Sequence, residues 1–109
     1  MLLLTKEITA KLPPLGSTSE REASEIPVIV KFFDPTGSWS WYAVEGERRD
    51  DGDWEFYGFV RGFEAELGSF TLNELLHAKD GLRGFQALPI ERDRHFGPHT
   101  LAEVMEKRL

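Results

Sequence analysis

Apolar positions change their spacing several times along this chain, and each change marks an element. Leu4, Ile8 and Leu12 recur at every fourth place with charged or small residues between, which is one face of a short helix. Pro13-Pro14 ends it, because proline restricts the residue before it and brings no N–H to the helix. Gly16 to Glu25 is small, polar and acidic, and reads as a mobile surface loop. Pro27 to Phe33 is rich in β-branched and aromatic residues and predicts a strand. Val28, Val30 and Phe32 would share one face and Ile29, Lys31 and Phe33 the other. Apolar groups on both faces place that strand in the middle of a sheet.

Asp34-Pro-Thr-Gly37 is a turn, its proline presetting φ at the second position. Ser38 to Val44 then alternates, with Trp39, Trp41 and Ala43 on one side and Ser40, Tyr42 and Val44 on the other. The charged stretch Glu45 to Asp53 follows, and its Asp51-Gly52 pair suits a tight hairpin. Trp54 to Arg61 is the next strand and Ala65 to Phe70 a shorter one, with Gly62 and Gly68 marking bends or a bulge. Thr71-Leu-Asn-Glu74 and Thr100-Leu-Ala-Glu103 both match the helix capping box. Leu72, Leu75 and Leu76 follow the first at helical spacing, and Leu101, Val104 and Met105 the second. Lys107-Arg108 complements the negative end of that last helix. These elements predict a single α+β domain over residues 1–109. It has an antiparallel meander of about four strands, with N-terminal, middle and C-terminal helices mainly on one sheet face.

A chain of 109 residues, 40% hydrophobic, has enough apolar material for one core without staples. There is no cysteine, which excludes disulfides, thiolate metal sites and thiol catalysis, and fits a reducing compartment. The apolar start Met1-Leu-Leu-Leu4 is cut short by Lys6 and Glu7, so neither a secretory leader nor a membrane span is predicted and the expected location is cytoplasmic. The net charge of −6 opposes binding to duplex DNA through its phosphates and suits a basic protein partner or plain solubility.

Several groupings carry candidate chemistry. Trp39, Trp41, Tyr42, Trp54, Phe56 and Tyr57 crowd one hairpin. They are either cross-strand core packing or a stacking platform for bases. If the tryptophan face is core, Tyr42 lies opposite and becomes a contact candidate. Glu45, Glu47, Asp50, Asp51 and Asp53 form an acidic hairpin tip, which reads as a solvated loop or a docking knob for a basic partner. The spacing is not that of a calcium loop. Glu64 and Glu66 would be neighbours on a strand, either a solvated edge or an acid–base pair. His95 and His99 are four apart, but Gly97-Pro98 forbids the helix that would aim both rings at a metal, and no metal or other cofactor is expected. The densest strip is Glu91-Arg92-Asp93-Arg94-His95, behind the proline-stiffened Leu88-Pro-Ile90. It reads as a salt-bridge network locking the connector or as a recognition strip. No nucleophile elbow, Walker loop or dinucleotide fingerprint is present.

At this strip a likeness emerges. Leu3-Leu-Thr-Lys-Glu7, Lys11-Leu-Pro-Pro-Leu15, Val30-Lys-Phe-Phe33, Trp39-Ser-Trp-Tyr-Ala43, Gly62-Phe-Glu-Ala-Glu-Leu-Gly68, Leu72-Asn-Glu-Leu75 and Leu88-Pro-Ile-Glu-Arg-Asp93 together resemble, in order, the bacterial domain-of-unknown-function family 2958. Two places depart from the family's pattern. The connector Gly81-Leu-Arg-Gly-Phe-Gln-Ala-Leu-Pro89 replaces a Gly-Pro-Leu-Gly-Leu-Pro run, and Arg94-His95-Phe96 stands where an apolar and then an aromatic residue is usual. The resemblance implies a short accessory protein of plasmids, integrative elements or phages, and brings neither a reaction nor catalytic residues.

The leading expectation is a non-enzymatic protein that binds a basic host nuclease or DNA-processing protein, in the manner of an anti-restriction or anti-CRISPR inhibitor. The expected contact residues are Tyr42, Glu45, Glu47, Asp50, Asp51, Asp53, Glu91, Arg92, Asp93, Arg94 and His95. One alternative is a small hydrolase or nuclease using Glu64, Glu66, Glu91, Asp93 and His95, which must then converge in one cleft. The other is an accessory to single-stranded DNA processing, reading bases through the aromatic residues.

Overall fold

Short local signals start each described α-helix of this chain. The structure, a computed structural model, is described over residues 2–78 and 88–109. Thr5 adopts an extended backbone and its hydroxyl accepts the Ile8 N–H, so helix α1 runs Lys6–Lys11 and stops at Leu12, ahead of the two prolines. Thr71 does the same for α2, Leu72–His77, and Thr100 for α3, Leu101–Glu106. The α3 capping box is complete, with Glu103 reaching back to the Thr100 N–H. At α2 only the Thr71 half forms, and the Glu74 side chain meets the Thr71 hydroxyl instead.

The strands are β1 (Val30–Phe33), β2 (Ser40–Arg48), β3 (Trp54–Arg61), β4 (Ala65–Thr71) and β5 (Glu91–Arg92). They form one antiparallel sheet in the order β4-β3-β2-β1-β5. The meander of four is as the alternation predicts, and β1 is central. The fifth strand was not expected: two residues of the charged strip pair with Phe32 and Phe33.

Both faces of the sheet are buried. On one, Val30, Phe32, Trp41, Ala43, Phe56 and Phe70 pack with Leu12 beside α1 and with Leu75 of α2. On the other, Tyr42, Val44 and Phe59 pack with Ile26, Val28 and the α3 residues Leu101 and Val104. Of the described α-helices, α1 and α2 thus share a face and α3 covers the opposite one. Leu76 and Met105, the third members of their predicted stripes, are exposed.

Three details depart from the sequence reading. Val28 does not share a face with Val30. The chain is irregular before β1, where Pro27 makes an isolated bridge to Thr100, and Val28 turns into the α3 side. The bulge lies in β2 rather than at Gly62 or Gly68. Ala43 pairs with Gly58 and Glu45 with Tyr57, so Val44 is the extra residue and Val44 and Glu45 both lie on the α3 side. Gly58 is required there, since a Cβ on it would stand 1.8 Å from the Tyr42 carbonyl oxygen. The β3–β4 register runs unbroken past Gly68. Finally, the Gly16–Glu25 stretch lies mostly at the surface as expected but has a buried Thr18 and a 3-10 turn at Ala23–Glu25.

Candidate functional site

The charged strip is built on Ile90, which is buried among the α1-side core and fixes the entry to β5. Beyond it the Asp93 N–H donates to the Lys31 carbonyl, and a tight turn follows in which the Asp93 carboxylate accepts the His95 N–H at 2.9 Å. The other Asp93 oxygen lies 3.6 Å from Lys31 Nζ. Lys31 in turn donates to the Leu109 carbonyl at 2.6 Å and stands over the rings of Phe33, Tyr42 and Phe96. Arg92 donates from Nη1 to the Leu2 carbonyl at 2.8 Å. A cleft of about 420 Å³ opens between this strip and α1, lined by Lys31, Arg92, Asp93, Arg94, Glu7 and Phe96 among others. Most of the strip is therefore occupied in tying β5, the N-terminal segment and the residues after α3 to the sheet. Arg94 and His95 face solvent.

The acidic hairpin divides in the same way. The β2 bulge turns Glu45 inward, where it is 2% exposed. Its carboxylate accepts the Gly16 N–H at 2.7 Å, the Thr18 N–H at 2.8 Å and the Thr18 hydroxyl. Burial alone would raise its pKa. The Thr18 hydroxyl and the Gly16 and Thr18 amides outweigh that and hold the carboxyl below the ordinary glutamate range. Glu47 accepts the Leu15 N–H at 2.9 Å. Asp53 takes the Trp54 and Asn73 N–H groups at 2.8 and 3.0 Å, which ties the hairpin to the first turn of α2. Asp51 accepts the Asp53 N–H and lies 4.0 Å from Arg49. Gly52, at φ +88°, makes the turn. Only Asp50 of the five has no hydrogen bond or ion pair among the described residues.

Two expected contact residues are thus corrected. Tyr42 is not presented to solvent: it is 1% exposed, because α3 covers the face opposite the tryptophans, and its hydroxyl donates to the Leu109 carbonyl. Glu45 is not on the hairpin tip but in the strand. The rest of the aromatic crowd is packed on the sheet, with Trp39, Trp54 and Tyr57 half-buried. Trp41 and Phe56 are buried, Phe56 lies 5.2 Å from Phe70 and 5.7 Å from Phe32, and Trp54 stacks on Phe56.

The acid–base set does not converge. Glu66 is on β4 and Glu64 just before it, whereas Glu91 is on β5 and Asp93 just after it. Those strands are opposite edges of the sheet, four spacings and roughly 19 Å apart. No proton can pass between them directly, because transfer needs hydrogen-bond reach. Among the described residues no group of three His, Asp or Glu side chains could hold a metal, and no helix is long and apolar enough to cross a membrane.

What the strip and the hairpin lack, the β3–β4 corner has. Residues 63–67 are exposed without a break. Phe63 is 85% exposed and stands edge-on against Trp39 at 5.2 Å, while Trp39 lies so close over Gly62 that a Cβ there would come within 2.4 Å of its ring. Glu64, Glu66 and Leu67 flank it. The sequence reading singled out the two glutamates and passed over Phe63 and Leu67. The available signal was their position: a phenylalanine in the short link between two paired strands has no layer to enter.

A family model described as "Protein of unknown function (DUF2958)" matches residues 3–107. The chain belongs to this family. No curated protein and no solved structure matched it. The matched segment contains every described strand and helix, so the edges and the corner described above lie within it.

Proposed function

We propose that this chain is a non-catalytic accessory protein of a bacterial mobile element, acting in the cytoplasm by binding a basic protein of the host, a defence nuclease or DNA-processing enzyme. The observation that carries this reading is the β3–β4 corner. A phenylalanine 85% exposed, braced on Trp39 and flanked by Glu64 and Glu66, has the character of an anchor at a protein interface, where aromatic residues are enriched. The net charge of −6 favours encounter with a basic surface. The fastened carboxylates Glu45, Glu47 and Asp53 leave Glu64 and Glu66 as the acidic contact, with Asp50, Arg94 and His95 at separate places on the surface.

The test is affinity capture from bacterial lysate with the native chain and with Phe63→Ala in parallel. A basic defence or DNA-processing protein held by the native chain and released by the variant is the expected result. Recovery of no such protein, or equal recovery by both, refutes the reading.

A further inference from the structure

The two edges of the sheet are built to different rules. Edge strands expose unpaired N–H and C=O groups, and proteins shield them by keeping them short or by placing lysine, proline or a bulge on them. The β5 edge is two residues long, carries Arg92 and is crossed by the Arg92–Leu2 bond. The β4 edge is seven residues long, pairs with β3 without a register break, and holds neither lysine nor proline. Among the described residues no backbone hydrogen bond reaches its outer side.

Beside that edge, on the α3 side of the sheet, lies a cleft of about 360 Å³. Glu45, Tyr57 and Ser69 are in register across β2, β3 and β4 and form its floor; Leu15, Gly16, Ser19 and Glu55 complete its lining. Two residues along β4 on the same face stands Leu67, opposite Phe59 and 43% exposed. Two further is Ala65, opposite Arg61. Rows across this edge therefore run from acidic, to apolar, to basic.

We propose that β4 takes an extended segment of a partner as a sixth strand, and that the segment places an arginine or lysine in the cleft and an apolar side chain on Leu67. The inference rests on the protein-binding reading above and names the chemistry of its contact. A residue of the added strand opposite Ser69 would sit one strand spacing away, roughly 4.8 Å, close enough for a long basic stem to reach back toward the Tyr57 ring and toward Glu55, whose one ion-pair partner among the described residues is the half-exposed Arg49 guanidinium at 4.0 Å. A second copy of this chain would bring Glu64 and Glu66 and a further net charge of −6 to the same edge, and like charge opposes it. On the other face no described residue lies within 4 Å of a Cβ built on Gly68.

The probe is a fluorescent acetyl-Thr-Val-Thr-Leu-Thr-Arg-Thr-Arg-amide, with amide chemical shifts of the full chain as the second readout. Binding should move the amides of residues 65–71 and of the cleft lining. Replacing both arginines by glutamate should abolish it, and Glu55→Gln should weaken it about threefold, the scale of a half-exposed ion pair. The two peptides N-methylated at alternate residues decide the geometry. One set of methyls faces β4 and should cost tenfold or more, and the other faces solvent and should cost little. Equal binding by both, shifts away from β4, or concentration-dependent self-association through this edge without peptide binding would overturn the proposal. If a partner is captured through Phe63 while the peptide fails, only the strand addition falls. If the peptide binds while no partner is captured, only the assigned role falls.

Discussion

Replacing Glu45 with glutamine tests how the chain uses its buried charge. The carboxylate, 2% exposed, receives the Gly16 and Thr18 amides and the Thr18 hydroxyl. Glutamine keeps the shape but offers one acceptor oxygen and one NH2. If the NH2 faces Thr18, the hydroxyl can turn and accept, but the Thr18 N–H loses its partner. If it faces Gly16, that N–H is lost instead. Hydrogen bonds to a charged group contribute roughly 1.5–3 kcal/mol and neutral ones about 1 kcal/mol. With the charged bonds near the lower end of that range, one bond lost and two reduced to neutral strength come to about 3 kcal/mol. At a urea slope of about 1.5 kcal/mol/M the midpoint should fall by about 2 M. Tryptophan fluorescence during urea titration measures this, and Glu47→Gln, an exposed residue with one amide bond, is the control expected to cost under about 1 kcal/mol. The pH dependence supplies a second constraint. The folded carboxyl is more acidic than the unfolded one, so its contribution is complete above roughly pH 4.3 and is lost as pH falls through the lower folded value. The gap between native and Glu45→Gln proteins should therefore be full at pH 7 and narrow at strongly acid pH. An equal gap at both, or no gap at pH 7, refutes the assignment.

Gly58 and Gly68 are register partners with opposite surroundings. Gly58→Ala should cost more than about 3 kcal/mol or prevent folding, because its Cβ meets the Tyr42 carbonyl, whereas Gly68→Ala should stay within about 0.5 kcal/mol by thermal melting. Thr100→Ala removes the complete capping box of α3 and should lower stability by about 1 kcal/mol in urea titration, with Thr100→Ser recovering most of it. Phe56→Ala, which empties the ring packed against Phe32, Trp54 and Phe70, should cost about 3–5 kcal/mol and is best read as soluble yield together with the thermal midpoint.

Much of this fold is written locally. Thr71 and Thr100 announce their helices because a hydroxyl followed three residues later by glutamate satisfies end amides at once. The Trp39-Trp41-Ala43 alternation reads correctly because one face of β2 meets one core. The reading failed where long-range contacts override local pattern. Nothing near Glu45 says that a loop 27 residues earlier supplies its hydrogen-bond donors, or that a bulge at Val44 rotates it inward. Tyr42 was assigned outward on the premise of a single covered face, and the placement of α3 is a tertiary fact that no period in β2 encodes. The Gly81–Pro89 connector lies largely outside the described residues.

The strip Glu91–His95 shows why density of charge misleads. A two-residue edge strand gains little from pairing alone. It is held by Ile90 below, by Arg92 to the Leu2 carbonyl and by Asp93 to Lys31. Those are the residue types that a binding strip would also use, so composition cannot separate the two. Burial and partner do: a carboxylate that already accepts an amide and faces an ammonium has little left to offer a ligand. By that criterion the informative residues are ordinary in sequence. Phe63 carries no charge and stands just before β4, and Leu67 and Ser69 lie on a seven-residue strand edge that no described residue pairs on its outer side and that holds neither lysine, proline nor bulge.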